Sequence, residues 1–485
     1  MTGPLWTAEE AAAATGGRPT SGFAATGVSI DSRSLGRGDL FVALSDARDG
    51  HEFVAAALTA GAAAAMVSRV PDDAPKDAPL LIVDDPLAAL GRMAAAARAR
   101  TDAKIVAVTG SVGKTGTKEM LRVCLGAEGQ THAAEKSFNN HWGAPLTLAR
   151  MPKETRFAAI ELGMNHAGEI APLSRMARPH VALITTIAPV HMAAFGSEEE
   201  IADAKAEIFE GLEPGGVAVL NADNRHIGRL RAAAERHGAR VVTFGAGEGA
   251  DARLLDARLT SHATVVRANL NGKTMVFKIG APGRHLAMNA LAALAAAEAA
   301  GADVARAALA LGSWTPPDGR GSRWRIMLGG GGIDGSLTLI DESYNANPVS
   351  MRAALAVLGA ATPEDHVGRI DKGRRVAFLG DMLELGPDER ALHAALAEAG
   401  EMAEVDLVHS CGPLMRALHE ALPSGKRGKW FESSAEMAAA AGRKLDAGDV
   451  AMVKGSLGSK MAVVVEAIRR TGRSAPDSGP DQGSV

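Results

Sequence analysis

Cysteine is nearly absent from this 485-residue chain: the two present, Cys124 and Cys411, lie far apart and without metal-ligand spacing. That excludes a disulfide scaffold and fits a reducing, cytoplasmic compartment. An excess of one charge is lacking too. The 52 basic and 56 acidic side chains leave a net charge of −4, which argues against an electrostatic nucleic-acid binder. No uninterrupted apolar run reaches the roughly 20 residues of a membrane span, so no transmembrane segment is expected. The opening stretch, residues 1–17, has no basic segment followed by an apolar one and predicts no secretory signal. Tyrosine is scarcest of all, with Tyr344 alone.

What is present is ordinary globular material, 47% hydrophobic and 22% charged. A chain of this length suggests domains of about 100–200 residues each, hence three. Short apolar runs at 39–44, 64–67 and 80–83 alternate with Ala-rich helical stretches over the first hundred residues. Beyond them, strand-like runs at 104–109, 157–162, 181–185, 217–220 and 240–244 alternate with amphipathic segments. That alternation predicts a largely parallel sheet with helices on both faces. Asn271-Gly272 between two period-two runs, 265–270 and 274–279, predicts a hairpin. A helix over 284–300 and a Trp/Pro/Gly-rich linker at 313–321 follow, then a second alternating series with strands at 336–341, 374–380, 405–409 and 450–454. The fold class is therefore α/β in three domains. Residues 1–99 form a small α/β domain, 100–318 a central P-loop domain and 319–472 a C-terminal Rossmann-like domain. Residues 473–485, rich in Gly, Pro, Ser and Asp, are expected to be a disordered tail.

The strongest local signal is Thr109-Gly110-Ser111-Val112-Gly113-Lys114-Thr115, between a strand and a helix. Small residues let backbone N–H groups close around phosphate oxygens at a helix N-terminus. Lys114 would neutralise the β/γ-phosphates of ATP or GTP, and the Thr115 hydroxyl would bind Mg²⁺. A second Gly-Lys-Thr, residues 272–274, sits in the predicted hairpin with no helix after it and reads as an ordinary turn. Glu161 ends a predicted strand, where open parallel sheets build their sites, and suits Mg²⁺. His191 follows another strand. By spacing alone it is a lone histidine, more often structural, and Lys205 is a solvated helix lysine.

Together the P-loop, residues 137–140 (Ser-Phe-Asn-Asn), 160–163, 189–191 and 204–209 resemble the central domain of the Mur ligase family. Residues 30–33, 38–44 and 49–53 look like that family's UDP-binding domain; 283–285, Asn289 and 319–320 continue the likeness, and 380–386 and 453–456 complete it. Asp341-Glu342-Ser343-Tyr344-Asn345-Ala346-Asn347-Pro348 resembles the branch that adds D-Ala-D-Ala, with Glu342 where Asp is more usual and Leu457 where Arg is common.

The resemblance implies an ATP-dependent ligase whose substrates are a UDP-linked muramoyl tripeptide and D-Ala-D-Ala, working as a monomer with two Mg²⁺ ions. It implies that Lys205 is carbamylated and, with His191, holds the second ion; Thr115 and Glu161 hold the first. Lys114, Lys205 and His191 would be catalytic. Asn289, Arg320, Tyr344, Asn345 and Asn347 would join the P-loop at the nucleotide. Ser29, Asp31, Ser32, Arg33, Asp49, Gly50, His51, Phe53, Asn139 and Asn140 would hold the UDP-linked substrate. A sibling ligase adding diaminopimelate or lysine, or a P-loop ATPase without ligation, is the alternative reading.

Overall fold

Three large sheets, besides a two-stranded ribbon of Trp6–Thr7 with Ala24–Ala25, follow one another along the chain in the computed structural model, which describes residues 3–45, 48–190, 192, 194–329, 335–367 and 369–477. The first is five-stranded; four of its strands, Gly27–Ser29, Asp39–Val42, Ala64–Val67 and Leu80–Ile82, run parallel. Its apolar face packs on the helix Pro86–Ala99, which starts with Asp85 accepting the Leu87 and Ala88 N–H groups and has Pro at its first position. Trp6 fixes this unit to its neighbour by donating its indole N–H to the Ala149 carbonyl at 2.8 Å.

The second sheet has nine strands. In spatial order they are Thr131–Ala133, Phe157–Glu161, Lys104–Thr109, Val181–Ile184, Val217–Asn221, Arg240–Gly245, Ala252–Leu259, Thr264–Leu270 and Lys273–Ile279. The first seven are parallel and the last two close an antiparallel extension. Val106 and Val108 face one core layer with the helices Lys114–Gly126 and Arg284–Ala299, and Ile105 and Ala107 face the other. A strand buried on both faces reads as a continuous apolar run, which is why Lys104–Thr109 shows no alternation. The Asn271-Gly272 hairpin forms as expected, with φ of 49° and 82° at the two residues.

The third sheet has seven strands, with a parallel set of Arg427–Phe431, Leu407–Cys411, Arg375–Gly380, Val450–Lys454 and Ser336–Glu342. Ser322–Met327 then pairs antiparallel on Ser336–Asp341. The segment from 473, expected to be without structure, is corrected in part: Arg473–Pro476 is an edge strand paired with Met327–Trp324. An edge position tolerates its proline, because the outer side of the strand needs no donor. Residues 478–485 lie outside the described residues. The short strands Thr131–Ala133 and Arg427–Phe431 were not expected either; few apolar residues mark them. No helix among the described residues is long and apolar enough to cross a membrane.

Candidate active site

The strand Lys104–Thr109 has Phe157–Glu161 on one side and Val181–Ile184 on the other, so chain leaving its carboxyl end enters a crevice between diverging connections. Residues 110–113 fill that crevice. The Ser111 N–H donates to the Thr186 carbonyl at 2.8 Å, and the Thr185 hydroxyl donates to the Val112 carbonyl at 2.6 Å. Gly113 has φ of 85° immediately before the helix Lys114–Gly126, and a Cβ there would stand 3.0 Å from the Asn289 Oδ1. The loop is thus pinned from behind, and Asn289 is the side chain its glycine lets approach. Lys114 Nζ donates to the Gly110 carbonyl at 2.7 Å. Burial pulls its pKa down and Arg320 adds to that, while the Glu161 carboxylate opposes.

Glu161 is almost wholly buried. Its Oε1 accepts from the Thr115 hydroxyl at 3.2 Å and the Asn139 amide at 2.7 Å, whereas Oε2 has no partner among the described residues. A buried carboxylate oxygen without a donor is costly unless a cation or water completes it. Carboxylate and hydroxyl oxygens are also the donor set Mg²⁺ prefers, so the residues present fit that ion. Thr115 Oγ1 further lies 3.0 Å from Ser137 Oγ, which accepts from Arg320 Nη2 at 3.0 Å. Arg320 stacks 4.1 Å above the Tyr344 ring. An unbroken chain of contacts therefore runs from the central sheet to the C-terminal one.

These groups line one cavity of about 850 Å³, which brings Ser111–Thr115, Asn139, Glu161, Asn289, Arg320 and Tyr344 together. Asn345 and Asn347 also line it, but their side chains have local work. The Asn345 carbonyl side-chain oxygen accepts the Ala346 N–H at 2.8 Å, and Asn347 caps the helix Pro348–Ala360 through a reciprocal pair with Ser350. Asn140 likewise accepts the Gly143 N–H at 2.9 Å ahead of the helix Gly143–Ala149. Lys454, missed as a site residue although its motif was seen, is buried and donates to the Asn345 carbonyl at 2.8 Å and Glu342 Oε2 at 3.3 Å. Ser137 was seen only as part of the 137–140 motif and not named as a site residue; type and spacing alone do not separate it from any loop serine.

Lys205, expected from spacing to be solvated, is buried within the helix Glu198–Ala206. Burial pulls its pKa well below the ordinary lysine value and Lys114 adds to the shift, against the pull of Glu207, Glu169 and Glu161. Glu207 is itself engaged, accepting the N–H groups of Gly168, Ile170 and Ala171. His191 lies outside the described residues.

The N-terminal candidates gather at loops leaving the carboxyl ends of Gly27–Ser29 and Asp39–Val42 rather than in this cavity. Ser29 is buried and donates to the Asp31 carbonyl. Arg33 chelates Asp31 through Nε at 2.9 Å and Nη2 at 2.8 Å, holding that carboxyl at a pKa of about 2; both project toward solvent beside Ser32. Asp49 takes the His51 backbone and ring N–H groups and Arg69, while His51 Nε2 accepts the Ser68 N–H at 3.0 Å. His51 and Gly50 are therefore buried framework, and a Cβ at Gly50 would meet the Leu44 carbonyl oxygen at 2.3 Å. Phe53 stays half-exposed beneath Arg48, 4.4 Å from its ring centre. Lys136, next to Ser137, adds to the field that lowers the Asp31 pKa.

Residues 108–297 match the Mur ligase middle domain, and 325–457 match the Mur ligase glutamate ligase domain. The chain is 37% identical to the UDP-N-acetylmuramoyl-tripeptide–D-alanyl-D-alanine ligase of Escherichia coli (strain K12) over 455 residues, covering 92% of this chain and 94% of that one. It is 33% identical to the ligase of the same name from Bacillus subtilis (strain 168), over 91% of this chain and 92% of that one. Among solved structures, MurF from Acinetobacter baumannii superposes with a TM-score of 0.79 at 29% identity, covering 96% of this chain and 99% of that one. The chain belongs to the Mur ligase family, in its group of UDP-N-acetylmuramoyl-tripeptide–D-alanyl-D-alanine ligases.

Proposed function

We propose that this chain uses ATP to join D-alanyl-D-alanine to a UDP-N-acetylmuramoyl tripeptide in the cytoplasm. One observation carries the reading: the P-loop, the half-satisfied Glu161 and the Tyr344-Asn345 segment share one cavity between two sheets. The tripeptide carboxylate is a poor electrophile until an oxygen is turned into a leaving group. Its attack on the γ-phosphorus expels ADP and leaves an acyl phosphate; the dipeptide amine then attacks the acyl carbon and phosphate departs. Phosphoryl transfer of this kind needs mainly alignment and neutralisation of charge. Lys114 and the N–H groups of residues 112–115 supply both once Lys114 leaves the Gly110 carbonyl for phosphate.

Thr115 and Glu161 would hold one Mg²⁺, and a carbamate on Lys205 with His191 a second. When bound, the ions offset charge on the transferring group. Lys205 suits carbamylation because its depressed pKa favours the neutral amine, the form that attacks CO₂. Ser29, Asp31, Ser32, Arg33, Asp49 and Phe53 form the surface assigned to the UDP moiety, with Gly50 and His51 shaping its loop, and Asn139 orients Glu161. The Arg320–Ser137 contact is suited to draw the C-terminal sheet over the site and exclude water from the acyl phosphate.

The test is phosphate release from ATP with the UDP-linked tripeptide and, separately, D-Ala-D-Ala, D-Ala, L-Lys or meso-diaminopimelate. Turnover is expected with the dipeptide alone. Turnover with diaminopimelate or lysine in its place would move the chain to a sibling ligase, and turnover without any acceptor would make it an ATPase.

A further inference from the structure

A second cavity, of about 570 Å³, opens at the amino ends of the C-terminal parallel strands, the opposite end of that sheet from Lys454 and Glu342. The strand Val450–Lys454 separates the two, and at ~3.3 Å per residue it spans about 13 Å. Five cations line the opening, Arg369, Arg374, Lys429, Arg443 and Lys444. Two are already matched: Arg369 with Asp446 at 3.3 Å, and Arg374 with Asp449 at 2.7 Å. The other three form no ion pair among the described residues; Lys429 only rests 5.0 Å from the Phe431 ring centre. Asp446 is the one carboxylate in the lining, so the cations outnumber it five to one and repel one another unless a further anion joins them.

The wall carries an independent mark. Val408 and Ser410 pair with Arg427 and Trp430, so the partner strand has one extra residue opposite His409. The bulge turns the Lys429 N–H onto His409 Nδ1, at 2.9 Å. With Nδ1 accepting, the proton of the neutral ring sits on Nε2. That nitrogen is buried and has no partner among the described residues, and the ring itself lines the cavity. An unsatisfied donor thus belongs to a residue of the same wall as three unpaired cations, a lining suited to an anionic acceptor.

We propose that this cavity is a binding site for a small molecule bearing two or more phosphate groups, separate from the ligation cavity. One phosphate carries about −1.5 to −2 near neutrality, so two or more are needed to balance three unpaired cations. Ile370, Leu407 and Leu445 give the same cavity an apolar wall for an uncharged portion of the ligand. Nothing in the ligation scheme above uses these residues.

The experiment is calorimetry on the full-length protein in a Lys114→Ala background, without Mg²⁺, so that the P-loop does not compete. Tripolyphosphate, ADP and inorganic phosphate are titrated in turn; tripolyphosphate against ADP separates a bare phosphate chain from a nucleotide. Binding of tripolyphosphate or ADP, weakening with salt and tighter than inorganic phosphate, is expected. Adding Lys429→Gln, Arg443→Gln and Lys444→Gln together should weaken it about ten-fold or more. In the otherwise native chain the triple variant should ligate at the wild-type rate, which shows that it folds. Absence of binding in the Lys114→Ala background, or affinity unchanged by the triple substitution, overturns the proposal.

Discussion

The chain contains the tripeptide Gly-Lys-Thr twice, at 113–115 and at 272–274, and the two copies share nothing but their letters. At the first, a parallel strand delivers the chain into a crevice and a 13-residue helix begins on the lysine. The helix terminus, its free N–H groups and a partly buried cation all face one cavity. At the second, the glycine completes a two-residue turn between antiparallel strands, and Lys273 and Thr274 point to solvent. Residue type supplies a charge and a hydroxyl. Only the strand-to-helix setting makes them converge with Glu161, 3.2 Å from the Thr115 hydroxyl.

The largest expected difference is between Lys114→Ala and Lys273→Ala. Lys114 is the cation held at the P-loop carbonyls, so its loss should lower ligation by about 10³-fold or more, the scale of removing a pre-organised charge from a transition state. Lys273→Ala should leave the rate within two-fold or so, being a change at an exposed side chain with no partner among the described residues. Acceptor-dependent phosphate release measures both. Near-normal turnover by Lys114→Ala would dissolve the contrast.

Lys205→Ala comes next, with a loss of about 10²-fold, the upper range for groups that support a metal ligand set. Small carboxylates such as formate should restore part of the rate by supplying the missing anionic oxygen. Rescue by methylamine instead would mean that the buried side chain acts as a cation. Glu161→Gln keeps the shape and the Oε1 contacts but removes the charge, so it should raise the Mg²⁺ requirement by about ten-fold. An unchanged Mg²⁺ titration would leave the orphaned oxygen without a ligand role.

The contrast also marks what could be read in advance. Lys104–Thr109 and Val450–Lys454 were legible to the residue, because a strand covered on both faces has to be a continuous apolar run. The P-loop was legible because its glycines and lysine are spaced by backbone geometry. Lys205 was not: its helix carries Glu198, Glu199, Glu200 and Asp203, a solvated pattern, and only tertiary packing buries the one lysine. Resemblance to a family pointed to it where periodicity could not. Asn347 has a second role that its motif does not announce. It lines the cavity, and its side-chain oxygen also accepts the Ser350 N–H, since a helix starting at Pro348 needs a cap. Arg473–Pro476 looked structureless because pairing on an open edge needs backbone and a free neighbour, not apolar side chains.

The smallest effect separates backbone strain from site geometry. Gly113 and Gly272 have nearly the same dihedral, φ of 85° and 82°, in the left-handed region that a Cβ disfavours. Alanine at either should therefore cost about 1–2 kcal/mol of stability, and the two variants should unfold in urea at similarly lowered midpoints. Their surroundings differ. Around Gly272 there is open space, whereas a Cβ on Gly113 would press within 3.0 Å of Asn289 Oδ1 and push either the amide or the loop aside. Gly113→Ala should thus weaken ATP-analogue binding by several-fold beyond its stability cost, with Gly272→Ala binding like wild type. Asn289→Ala gives the control, since with the amide gone the added methyl at 113 has room and the two substitutions should combine less than additively. Equal binding losses in the two glycine variants, or strict additivity of Gly113→Ala with Asn289→Ala, would show that the strand-to-helix setting does not distinguish the copies in this way.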